Sequence, residues 1–66
     1  MKKLELIIEA RNNEEQEHKI SAIARIKYRL PAICSYVVEV DPHKAHFLQN
    51  VEGVQAVRAN SLVSFN

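Results

Sequence analysis

An α+β domain built on one four-stranded antiparallel sheet is predicted by three observations on these 66 residues. Two stretches place apolar residues at helical spacing behind a capping side chain, Asn13 in one and Asp41-Pro42 in the other. Four further stretches alternate with the period of two that a half-buried strand requires. Their order is strand, helix, strand, strand, helix, strand. Two helices cover only one face of such a sheet, so a βαββαβ arrangement leaves the other face open.

The first strand is Lys3-Leu4-Glu5-Leu6-Ile7-Ile8-Glu9, with Leu4, Leu6 and Ile8 directed to the core. Ile7 then points the other way, an apolar residue on the wet side. Asn13 is the expected N-cap of the first helix, with Gln16 at the reciprocal capping-box position. Glu14, Glu15 and Glu17 suit the positive helix end, and Ile20, Ile23 and Ala24 form the buried stripe. From Arg25 the period becomes two: Ile26, Tyr28 and Leu30 read as core, Lys27 and Arg29 as solvated. Pro31-Ala32 is the turn. The next strand is expected over 33–40, rich in branched and aromatic residues.

Asp41-Pro42 starts a second helix over 43–50, which offers Ala45, Leu48 and Phe47 to the core and stops at Gly53. A last strand covers 54–59. The open face then carries Glu5, Ile7, Ile33, Ser35, Val37 and Glu39. Such a mixed, partly apolar set on an uncovered face is what a docking partner requires. Val37→Asp is accordingly expected to weaken docking with little effect on folding.

Composition narrows the function. A chain of 7.6 kDa is one domain, and domains of this size bury only about 60% of their unfolded surface. Cys34 is the single cysteine, so no disulfide forms within the chain. With no cleavable leader after Met1, a reducing, cytoplasmic setting is expected. No apolar run approaches the length of a membrane span. Net charge is +1, with nine basic residues interspersed among eight acidic ones, which is not the basic stripe of a nucleic-acid binder. Base stacking on the sheet needs exposed aromatics, and Tyr28 and Tyr36 fall in phase with core positions.

No catalytic constellation is present. Ser35, Ser61 and Ser64 have no nucleophile-elbow context. Cys34 is in phase with Tyr36 and Val38 and reads as a small buried hydrophobe. His43 and His46 are spaced i, i+3, without the further ligands of a metal site, and read as a solvated helix face. With a single glycine, Gly53, there is no phosphate loop. No metal, cofactor or catalytic residue is assigned.

The end of the chain poses its own question. Asn60, Ser61, Leu62, Val63, Ser64, Phe65 and Asn66 follow the last strand, apolar in part yet too short for another element. From Asp41 onward the sequence resembles the propeptides of subtilisin-like serine proteases and the stand-alone propeptide-like protease inhibitors. The capped helix Asp41-Pro42-His43-Lys44-Ala45-His46-Phe47-Leu48 carries the resemblance first. Val51-Glu52-Gly53-Val54 is similar to the family's helix-to-strand turn, with Glu52 where proline is common. Gln55-Ala56-Val57 stands in place of its strand, and Leu62-Val63 resembles its apolar tail motif. Architecture matches over nearly the whole chain, motifs over its final part.

The resemblance implies a ferredoxin-like fold, with 1–61 as the inhibitor domain and 62–66 as a tail for the substrate cleft. It implies that the open face, through Ile7, Ile33, Val37 and Glu39, packs on two parallel surface helices of a subtilisin-like serine protease. Asn60 falls where the family often has an acid capping those helices, so it caps as a neutral group and Glu39 substitutes from the neighbouring strand. The tail lies product-like in the cleft: Asn66 in the primary pocket beside the partner's catalytic serine, then Phe65, Ser64 and Val63 in the next subsites. Leu62 stands one place further back. Asn66 departs from the large apolar group that many subtilisins prefer. The expected protein is therefore a monomeric inhibitor, and a possible folding chaperone, of such a protease. The alternative is a small regulatory or oligomerisation module that pairs through its open sheet face.

Overall fold

The computed structural model describes residues 3–59. Strand β1 is Leu4–Glu9, helix α1 Glu14–Ser21, strand β2 Arg25–Leu30 and strand β3 Ser35–Val40. Helix α2 is Ala45–Leu48 and strand β4 Ala56–Ala59. The strands form one sheet in the order β2-β3-β1-β4, and each neighbouring pair is antiparallel. This is an α+β fold with an open sheet and two helices.

Both helices contribute to the same core. Ile20 and Ala24, in and just after α1, and Leu48 of α2 cluster with Leu6, Ile8, Tyr36, Val38 and Val40. Register explains the grouping, since Leu6 faces Val38 and Ile8 faces Tyr36 across β1 and β3. Residues opposite each other on antiparallel strands share a face of the sheet. Each fully buried Ile, Leu or Val here contributes about 1.5–3 kcal/mol relative to exposure. Tyr36 satisfies its buried hydroxyl by donating to the Arg11 carbonyl at 2.8 Å, which also fixes the segment leaving β1. Burial pushes the Tyr36 phenol above its ordinary range.

The caps form as expected, with different reciprocal partners. Asn13 Oδ1 accepts from the Gln16 backbone N–H at 2.8 Å. The Gln16 side chain does not turn back to close a capping box. It is buried, and its Nε2 donates to the Glu52 carbonyl at 2.9 Å, tying α1 to the turn before β4. Asp41 accepts from the His43 N–H at 2.9 Å, but what it starts is a 3₁₀ turn, Pro42–Lys44, leading into the short α2. Phe47 lies on the outer side of that turn of helix, 49% exposed, and adds nothing to the core.

Two strand boundaries also differ from expectation. Residues Pro31–Ile33 form a 3₁₀ turn and Cys34 takes a left-handed conformation, φ 50°, so β3 begins only at Ser35. Cys34 is therefore exposed on the hairpin connection and is no part of the core. Val54 and Gln55 precede β4 without joining it, although the Gln55 N–H still donates to the Glu9 carbonyl at 2.8 Å.

Candidate functional site

The face of the sheet turned away from the helices is the candidate site. Val37 defines it: its neighbours Tyr36 and Val38 are core residues, and Val37 stands outside the core cluster. Across the ladder Val37 pairs with Ile7 of β1 on one side and Tyr28 of β2 on the other, and Ile7 pairs with Arg58 of β4. An apolar row of Ile7, Val37 and Tyr28 thus crosses three strands and ends at a cation. The adjacent row is charged, with Glu5 opposite Glu39 and Glu39 opposite Arg25.

A bulge in β2 builds this arrangement. Ile26 pairs with Val38 but Tyr28 pairs with Val37, so Lys27 is a surplus residue in β2. Lys27 reaches across the open face, its Nζ 3.0 Å from Glu5 Oε1 and 5.8 Å from the centroid of the Tyr28 ring. The hydrogen bond to Glu5 holds the Lys27 ammonium above its ordinary pKa. Arg25 Nη1 lies 3.9 Å from Glu39 Oε1. The two acids on this row therefore each face a cation of β2.

The expected sheet-face residues divide accordingly. Ile7 and Glu39 lie on the open face, both half-buried. Val37 lies there too, but at 7% exposure it does not stand free in solvent. Ile33 is not on β3. It sits in the 3₁₀ turn at the end of the hairpin, 60% exposed, beyond the last pair of the β2–β3 ladder. Asn60 and the tail residues Leu62, Val63, Ser64, Phe65 and Asn66 lie outside the described residues.

Tyr28 is the residue that the alternation misplaced. Instead of filling the core beside Tyr36, it is 59% exposed on the open face. The objection to base stacking that rested on its burial is thereby removed. One aromatic flanked by charges already paired with acids still offers neither a stacking platform nor a basic groove.

Comparison with protein-family models, with curated proteins and with solved structures finds no match.

Elsewhere, an open groove of about 800 Å³ runs beside α1 over β2, with Ile23, Ile26 and Val40 among its lining. The Glu17–Arg29 pair lies along it, Arg29 donating from Nε to Glu17 Oε2 at 2.7 Å and from Nη2 to Oε1 at 3.0 Å. That hydrogen-bonded pair holds the Glu17 carboxyl below its ordinary pKa and the Arg29 guanidinium above its own. Both charge signs line the groove. Among the described residues no three His, Cys, Asp or Glu side chains converge to hold a metal ion, and no helix is long and apolar enough to cross a membrane.

Proposed function

We propose that this chain is a propeptide-like inhibitor of a subtilisin-like serine protease, with its βαββαβ elements in a ferredoxin-like arrangement. The observation that carries the reading is the sheet face turned away from the helices, with its apolar row Ile7, Val37, Tyr28, next to an edge strand, β4, that 60–66 follow directly in sequence. The open face docks on the protease surface and Leu62, Val63, Ser64, Phe65 and Asn66 enter the substrate cleft as a product would. An extended segment in a cleft gains main-chain hydrogen bonds, while alternate side chains fill pockets. Joining both contacts on one body makes the second intramolecular, so two weak contacts combine into tight binding. The free protein is a cytoplasmic monomer in this reading, and holding the face of a nascent protease gives it a folding-chaperone role.

Size favours this over self-pairing through the face. Four strands of about six residues span roughly 19 Å by 20 Å, or about 400 Å² per partner. A symmetric face-to-face dimer then buries about 800 Å² in total, below the 1,200 Å² or so of a stable specific interface. A partner that also takes the tail makes up the shortfall.

Titration of the purified protein against several subtilisins and a chymotrypsin-like enzyme, with a small chromogenic substrate, tests the reading. Competitive, dose-dependent inhibition of a subtilisin alone is expected. Absence of inhibition of every subtilisin at micromolar protein sinks it.

A further inference from the structure

We propose that residues 49–59, the turn after α2 together with β4, form a flap that opens from β1 as one unit while the rest of the sheet stays folded, and that the Gln16 side chain is its latch. The inference stands apart from the protease reading. A segment opens locally when it buries little surface and has few ties to its neighbours. From Gln49 to Ala59 no residue is buried, whereas Leu48, immediately before them, is fully buried in the core. The hinge falls directly after Leu48. Val54 and Val57 are only partly buried against the core. β4 is four residues long, and among the described residues it pairs with β1 alone.

The other edge strand, β2, also holds no buried residue, but it is six residues long and pinned by charge. Lys27 holds Glu5 of β1 at 3.0 Å, Arg25 faces Glu39 of β3 at 3.9 Å, and Arg29 holds Glu17 of α1 at 2.7 Å. β4 has no such tie. Arg58, its one charged residue, forms no ion pair among the described residues. Outside the β1–β4 ladder three contacts hold the flap. The Gln55 N–H donates to the Glu9 carbonyl at 2.8 Å, Lys19 Nζ lies 3.3 Å from Glu52 Oε1, and Gln16 Nε2 donates to the Glu52 carbonyl at 2.9 Å. The Lys19–Glu52 pair is exposed, and such pairs contribute little. Gln16 is 7% exposed, so its bond is the sheltered one. When the flap leaves, the amide is uncovered and hydrates, so breaking the latch costs only the net worth of one hydrogen bond. The bond from the Val54 N–H to the Val51 carbonyl lies within the flap and moves with it. In the open form the outer edge of β1, Leu6 to Glu9, is without its partner strand.

Native-state hydrogen exchange on the full-length protein, read amide by amide at a series of low urea concentrations, tests the flap. The Gln55 amide and the ladder amides of β4 should share one opening, about tenfold or more less protected than the β1–β3 ladder and with a weaker urea dependence. Two variants then separate local from global opening. Gln16→Ala removes a contact that is lost in both, so flap and core amides should both exchange about fivefold faster or more. Ile26→Val trims a side chain on β2, at the opposite edge of the sheet, which stays folded when the flap opens. It should speed the core amides about threefold and leave the flap amides within about twofold of wild type. Flap amides as protected as the β1–β3 ladder, with the same urea dependence, overturn the proposal, and the wild type alone decides this. So does an Ile26→Val protein in which flap and core accelerate equally. Flap rates unchanged by Gln16→Ala overturn the latch.

Discussion

The carboxamide of Gln16 occupies the space into which a β-carbon on Gly53 would project. Gly53 also has φ +93°, a conformation that L side chains rarely adopt. Its neighbour's carbonyl, at Glu52, accepts the Gln16 Nε2 donor at 2.9 Å. The lone glycine of this chain therefore seats a buried amide as well as turning the chain toward β4.

Gly53→Ala should cost about 1–3 kcal/mol from backbone strain, with a further ~1 kcal/mol from displacing the Gln16 hydrogen bond. In a Gln16→Ala background the same substitution should cost less, since only the φ term remains. Urea unfolding of the four proteins of this cycle measures the coupling. Additive costs would show that the two residues do not share the space.

The Glu17–Arg29 pair predicts a pH dependence with a definite sign. The Arg29 hydrogen bonds lower the Glu17 pKa in the folded protein. A group with a depressed folded pKa contributes stability that is complete above its unfolded value and is lost as pH falls through the folded one. The difference in stability between wild type and Glu17→Gln should thus be largest near neutrality. It should begin to shrink below the ordinary carboxyl value of 4.5 and vanish in strong acid. Denaturant titrations across this range check it. A difference that grows on acidification reverses the sign and refutes the pairing.

How far the fold was legible depends on which signals were local. Asn13 and Asp41 each cap by a side chain to a backbone N–H two or three residues away, so their spacing in the sequence suffices. The inward set Leu6, Ile8, Tyr36 and Val38 followed from alternation alone. Gln16 was misread because its true partner, Glu52, lies 36 positions away, and capping rules know only neighbours. Tyr28 was misread although a clue existed. Leu30 pairs directly with Ser35 across a four-residue connection, and an even connection sets even-numbered β2 residues against odd-numbered β3 residues. Tyr28 must then share a face with Val37, and Ile26 can reach the core only through a bulge between them. Cys34 escaped for a related reason: its left-handed φ belongs to the hairpin connection, not to the strand that composition extended through it.

Burial changes what Val37 predicts. A fold-neutral Val37→Asp was expected of a solvent-facing residue, but Val37 is only 7% exposed. Burying a carboxyl there should cost about 1–3 kcal/mol and lower the melting temperature. Val38→Asp should be more severe, because Val38 is fully buried in the core between the helices and the sheet. Thermal melts of both rank the two faces. A Val37→Asp protein as damaged as Val38→Asp would mean that both sides of β3 are equally closed.

Removing residues 62–66 should leave the domain folded and abolish or greatly weaken inhibition. Among the described residues, the core is assembled from β1, α1, β3 and α2, with Val54 and Val57 packed against it. In the cleft the tail would supply the added-strand hydrogen bonds and the seating of Val63 in an apolar subsite, worth about 1.5–3 kcal/mol if fully buried. Val63→Gly should be a milder lesion, losing that burial and raising the entropy cost of ordering the segment. Asn66→Leu or Asn66→Tyr should tighten inhibition if Asn66 enters a primary pocket that prefers large apolar groups. The readouts are each variant's inhibition constant against one subtilisin and the thermal unfolding of the free proteins. A truncated protein that inhibits as well as the full chain rules out tail insertion and leaves the binding to the sheet face.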